Sequence, residues 1–253
     1  MALPHFESTL PLGGIELMRA SAFQRQIEQE RETGEDRLST RLSALDPSLH
    51  QDLLRFEGRG RRSELLEVLA GAVRHASAVM VQMQLQRHVL TLSVYPVQRV
   101  VHCVLPMARF LDSPLAELEV LRVEKALHPA PAWTALGASA AQAHCAPLTK
   151  VLWELALRGA RDELLPEIAG HAAYRIAPTT DLAVLELSGS LASACTRLQR
   201  RTRSLREIAQ WPGFDRARAT RLLNGLYLQA GLMVSRTHPA ATNDDWHGGD
   251  STH

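Results

Sequence analysis

Polar and apolar residues alternate along 79–86, where Val81, Met83 and Leu85 are interleaved with Gln82, Gln84 and Gln86. A period of two predicts a strand with one face on a core and the other in water. Two apolar, β-branched runs, 89–95 and 100–105, follow across Pro96 and Arg99, and 118–123 supplies a fourth strand. Upstream the period lengthens: Leu65, Leu66, Leu69, Ala72 and Val73 recur at helical spacing after a Ser63 cap. Asp46 and Pro47 open an earlier helix through Leu49, Leu53 and Leu54, which Gly58 and Gly60 stop. The simplest assembly is a helix followed by a small antiparallel meander, an α+β domain over 60–127 with its helices on one face of the sheet.

Residues 1–59 carry little apolar material. After Pro and Gly punctuation at 11–14, a charged run extends over 24–41, and Ile15, Met18, Phe23 and Ile27 would give a helix only a thin buried stripe. This region is expected to be a charged helix facing solvent or a partner. Two prolines at 129 and 131 and the small residues through Ala146 mark a linker over 128–146. Beyond it the pattern predicts helices over 148–157, 162–169 and 190–200 and short strands over 173–176 and 182–187.

From Ser204 the pattern sharpens. Residues 204–209 form a short helix, 211–215 a turn, and Asp215 caps a longer helix whose buried face is Ala219, Leu222, Leu223, Leu226 and Ala230. Gly231 ends that helix as its C-cap, and 232–236 continue as a strand. The whole is mainly helical, a small β-meander domain followed by a winged-helix-like domain over 147–236 and a disordered tail over 237–253.

The series Leu205, Ile208, Ala209, Leu222, Leu226, Gly231 and Leu232 resembles the helix-turn-helix half of winged-helix proteins. It is similar to the winged-helix modules at the C-termini of bacterial signalling proteins of unassigned function. The resemblance covers the last fifth of the chain and implies a binding module, for DNA in some families and for proteins or peptides in others.

Charge adds direction to that reading. The formal net charge is +1, yet 195–236 hold nine arginines against Glu207 and Asp215, which is 9 − 2 = +7 and leaves −6 for the remainder. Such asymmetry points to an anionic partner. On the DNA-binding version the second helix enters the major groove, and Arg203, Arg206, Arg216, Arg218, Arg221 and Asn224 are the residues that touch nucleic acid or a partner. Against that version stand the bulky turn at Trp211 and Phe214 and the short sequence left for a second wing strand. The first reading is therefore a non-catalytic cytoplasmic regulatory or adaptor protein whose module binds a protein and whose α+β domain dimerises or senses. The alternative is a DNA-binding transcriptional regulator.

Chemistry-bearing patterns do not accumulate. Cys103, Cys145 and Cys195 are odd in number and widely spaced, as reduced thiols of a cytosolic chain are. His102-Cys103 and His144-Cys145 offer zinc-capable atoms, but neighbours on a strand point to opposite faces, and no metal is expected. Glu163, Glu167 and His171 have helical spacing that Pro166 and Gly170 interrupt. With no phosphate loop, no H-E-x-x-H and no apolar stretch of membrane-spanning length, neither catalytic residues, a cofactor nor a membrane partner is expected.

Overall fold

The computed structural model describes residues 17–32, 45–57, 65–126, 128–131, 143–185 and 187–243. The Pro and Gly punctuation at 11–14, Ile15, Ser63, the glycines at 58 and 60, most of the small-residue run and the tail from 244 lie outside those residues. The chain is α+β and divides within one helix into units 1–151 and 152–253.

The first unit contains α1 (Ala20–Glu32), α2 (Pro47–Glu57), α3 (Leu65–Arg74), β1 (Val79–Leu85), β2 (His88–Tyr95), β3 (Val100–Cys103), α4 (Met107–Asp112), β4 (Glu119–Lys125) and β5 (Cys145–Pro147). Its sheet has the order β4-β1-β2-β3-β5, with antiparallel neighbours throughout. The meander therefore holds for β1, β2 and β3 only. The fourth strand returns across the sheet to pair with β1, with a register shift between Gln82 and Met83. The last residues of the expected linker belong to strand β5, which is the sheet's edge, because Val101 and His102 of β3 pair with Ala146 and Cys145.

The period-two pattern is realised in burial. Val79, Val81 and Met83 are buried and pair with buried Val94, Leu92 and Leu90, while Met80, Gln82 and Gln84 are half-buried. The glutamine face is not left to water as expected. Val89, which pairs with Gln84 and so shares that face, is buried in a cluster with Ala20 and Phe23 of α1, joined by Met18, Ile27 and Leu121. The described part of the thin stripe read from the charged N-terminal segment thus docks on the glutamine face of the sheet. Backbone bonds fix the contact, Ala20 N–H donating to Arg87 O and Val89 N–H to Met18 O.

The second unit holds most of α5 (Leu148–Arg158), then β6 (His171–Ile176), α6 (Gly189–Arg200), α7 (Leu205–Ala209), α8 (Arg216–Leu228), β7 (Leu232–Ser235) and β8 (Thr242–Asn243). Its sheet has the order β7-β6-β8, so the earliest strand is central and both later ones flank it. Arg203 adds an isolated bridge to Tyr174 of β6. Gly225 lets α8 approach α5 closely: a Cβ there would stand 2.8 Å from two ring carbons of Trp153.

Three expectations change here. Of the strand expected over 182–187, the described residues are not strand, and a 3-10 turn spans Ala183–Leu185. Residues 162–169 are turns rather than a helix. Their carbonyls are taken by side chains: Arg161 donates to Leu164 O, Asn224 to Glu163 O, Tyr174 to Ile168 O, and Arg236 to Glu167 O and Ala169 O. Those bonds replace the helical ladder that Pro166 interrupts. Finally, α8 ends at Leu228, and the left-handed residue after it is Ala230 (φ 54°), not Gly231. Gly231 N–H then donates to Leu226 O and Ala230 N–H to Tyr227 O, the bond pair of a Schellman ending.

Candidate partner interface

Ser204 starts α7 through a reciprocal cap. Its hydroxyl accepts the Glu207 N–H at 3.3 Å, and the Glu207 carboxylate accepts the Ser204 N–H at 2.9 Å. Partial burial opposes ionisation of Glu207, but the Ser204 N–H and the Arg203 guanidinium outweigh it and hold the carboxyl below its ordinary range. Gly213, at φ 78°, lets the chain turn after Pro212. Asp215 then accepts the Arg218 N–H at 2.7 Å and opens α8.

The turn is built around two aromatic rings and two cations. Trp211 and Phe214 meet edge to face, with centroids 6.4 Å apart and planes at 81°. The Arg197 guanidinium from α6 lies over Trp211 at 5.3 Å, and that of Arg218 lies over Phe214 at 5.2 Å. Arg218 also donates to Gly213 O at 2.7 Å. Both rings are half-buried and both arginines exposed, so the four side chains form a surface ladder joining α6, the turn and α8.

The six residues singled out from sequence do not share one environment. Arg206, Arg216 and Arg218 are exposed. Arg203 is half-buried and pairs with Glu207 at 2.8 Å. Arg221 is half-buried, and its Nε donates to Arg161 O at 3.3 Å. Asn224 is corrected outright: it is 0% exposed, its Oδ1 accepts the Leu165 N–H at 2.9 Å and its Nδ2 donates to Glu163 O at 2.9 Å. An amide consumed in this way reads no partner. Arg216 and Arg218 also occupy the first turn of α8, the positive end of the helix dipole, where cations cost stability. Arg197, Trp211 and Phe214 complete the cluster. Their signal in the sequence is the spacing of Trp211, Phe214 and Arg218 at three and four residues, with Arg197 brought in by the fold.

A second constellation lies in the first unit. Ser48 Oγ stands 3.0 Å from His75 Nδ1, and His75 Nε2 donates to Asp52 Oδ2 at 2.9 Å, the sequence of nucleophile, base and orienting acid. Asp46 removes it from that role. Its carboxylate accepts from the Ser48 hydroxyl and from the Ser48 N–H, so the Ser48 proton is given to Asp46 instead of to His75. The Ser48 hydroxyl bond comes first among the causes that hold the Asp46 carboxyl below its usual range. Arg74 also donates to Asp52, and the cluster ties α2 to α3.

The zinc-capable residues are engaged otherwise. His102 and His144 stack at 6.1 Å, and His144 Nδ1 is 3.0 Å from Cys103 O. Burial, and then the neighbouring His144, lower the pKa of His102. Burial pushes the Cys103 thiol up to about 11 and that of Cys195 to about 12. Among the described residues no group of three or more His, Cys, Asp or Glu is placed to hold a metal ion, and no helix is long and apolar enough to cross a membrane. In comparison with known proteins, no family model, no curated protein and no solved structure matches this chain.

Proposed function

We propose that this chain is a non-catalytic regulatory adaptor of the cytoplasm, whose second unit engages a protein partner through a winged-helix-like face around α7, the turn and α8. The burial of Asn224 carries the choice over DNA reading. A recognition helix reads bases with exposed amide and guanidinium groups on its N-terminal half. Here Asn224 holds the loop before β6 and Arg221 bonds to Arg161 O, which leaves Arg216 and Arg218 as the exposed cations of α8. The surface beside them has half-buried Trp and Phe flanked by Arg, the composition of protein-interface centres.

The second reading, a DNA-binding regulator, is favoured by the cations at the N-terminus of α8, where phosphate would also meet the helix dipole. Fluorescence anisotropy of a labelled random-sequence duplex with the full chain, across a salt series, separates the two. The adaptor reading expects no saturable duplex binding at low salt. Binding that falls steeply as salt rises would replace it with the DNA-binding reading.

A further inference from the structure

We infer that the ladder Arg197, Trp211, Phe214 and Arg218 docks an acidic segment of a partner protein in which carboxylates alternate with apolar side chains. This inference rests on the adaptor reading. Stacking uses the π-face of a guanidinium and none of its N–H donors, so an arginine held over a ring can still grip a carboxylate through two parallel bonds. The rings also restrain the two side chains in advance, which lowers the ordering cost of binding. Between the cations, the half-buried rings and the exposed Pro212 present apolar surface for the intervening side chains.

Charge complementarity identifies the occupant as acidic. The segment 195–236 sets nine arginines against two acids, and both acids are engaged locally: Glu207 closes the cap of α7 and pairs with Arg203, and the exposed Asp215 accepts the Arg218 N–H. A protein segment is favoured over single-stranded nucleic acid because base stacking requires an open ring face. At Trp211 and at Phe214 a guanidinium already covers one face.

The test uses the full chain and three fluorescein-labelled probes: a peptide of alternating aspartate and leucine, one of alternating lysine and leucine, and a random-sequence duplex. The acidic peptide is expected to bind saturably, the basic peptide and the duplex not. Arg197→Gln and Arg218→Gln should each weaken the acidic peptide roughly tenfold. Arg197→Lys and Arg218→Lys, which keep the charge and lose the planar fork, should fall between, a graded series that misfolding would not produce. Absence of saturable binding by the acidic peptide overturns the inference. Peptide binding that is equal in parent and Gln variants also overturns it, while the adaptor reading stands. Duplex binding lost in the same variants overturns both.

Discussion

The side-chain oxygen of Asn224 accepts the backbone N–H of Leu165 at 2.9 Å, across a sequence separation of 59 residues and without solvent exposure. With its Nδ2 on Glu163 O, the amide substitutes for helical bonds in the loop before β6. Replacing Asn224 by Ala leaves both backbone groups without that partner, and the expected loss is roughly 2–4 kcal/mol of unfolding free energy. Urea denaturation followed by circular dichroism measures it, and a change below roughly 0.5 kcal/mol, as at an ordinary surface site, would contradict the structural role.

The ending of α8 gives a substitution of opposite sign. Ala230 sits at φ 54°, where its Cβ crowds the following carbonyl. Ala230→Gly removes that strain at the cost of a more flexible unfolded chain, with an expected net gain of about 0.5–1 kcal/mol. A rise in the thermal midpoint is the readout, and a fall would mean that the left-handed ending is wrongly placed.

Thiol chemistry offers a third check. Burial raises the Cys103 and Cys195 thiols from 9.0 to about 11 and about 12, and raises Cys145 as well. The thiolate is the reactive form. Near pH 8 the native protein should therefore react with an aromatic disulfide reagent much more slowly than the denaturant-unfolded chain. Rapid labelling of Cys103 or Cys195 in native protein, located by peptide mapping, would contradict this burial.

Acid should loosen the α2–α3 contact. Burial works against ionisation of Asp52, but the bonds from His75 and Arg74 outweigh it and hold its carboxyl below the ordinary 3.8. A carboxyl lowered on folding contributes stability that is complete above its unfolded value and is lost as pH falls through its folded value. Asp52→Asn should therefore lower the unfolding free energy at pH 7, and the gap to the parent should close below about pH 4. A gap that persists undiminished in acid would assign the effect to packing instead of charge.

Local signals were the legible part of this fold. The glutamine alternation places β1 at Val79–Leu85, and Asp215 caps α8 as its position before an amphipathic run predicts. Elements whose form is decided at a distance were not legible. Cys145–Pro147 has no strand pattern of its own and becomes β5 because β3 offers an open edge. The apolar run at 182–187 reads as a strand, yet among its described residues a 3-10 turn forms over Ala183–Leu185. At the candidate interface, sequence separates arginines from carboxylates but does not tell an exposed Arg218 from an Arg221 bonded to Arg161 O. Arg197 joins the ladder only through the approach of α6 to the turn.

The central place of β6 has a kinetic consequence. Its flanking strands arrive late: Ile176 pairs with Leu232, and Ala172 with Thr242, seventy residues further along. A chain emerging from the ribosome must hold His171–Ile176 without either flanking strand through the synthesis of three helices, with only the Arg203 bridge to Tyr174 available after the first of them. The N-terminal sheet can close as soon as β5 has emerged, whereas the C-terminal one is completed by its final two-residue strand. Non-local pairing of that kind slows folding and exposes strand edges to other chains, so truncations before Thr242 should aggregate at β6 in preference to losing binding alone.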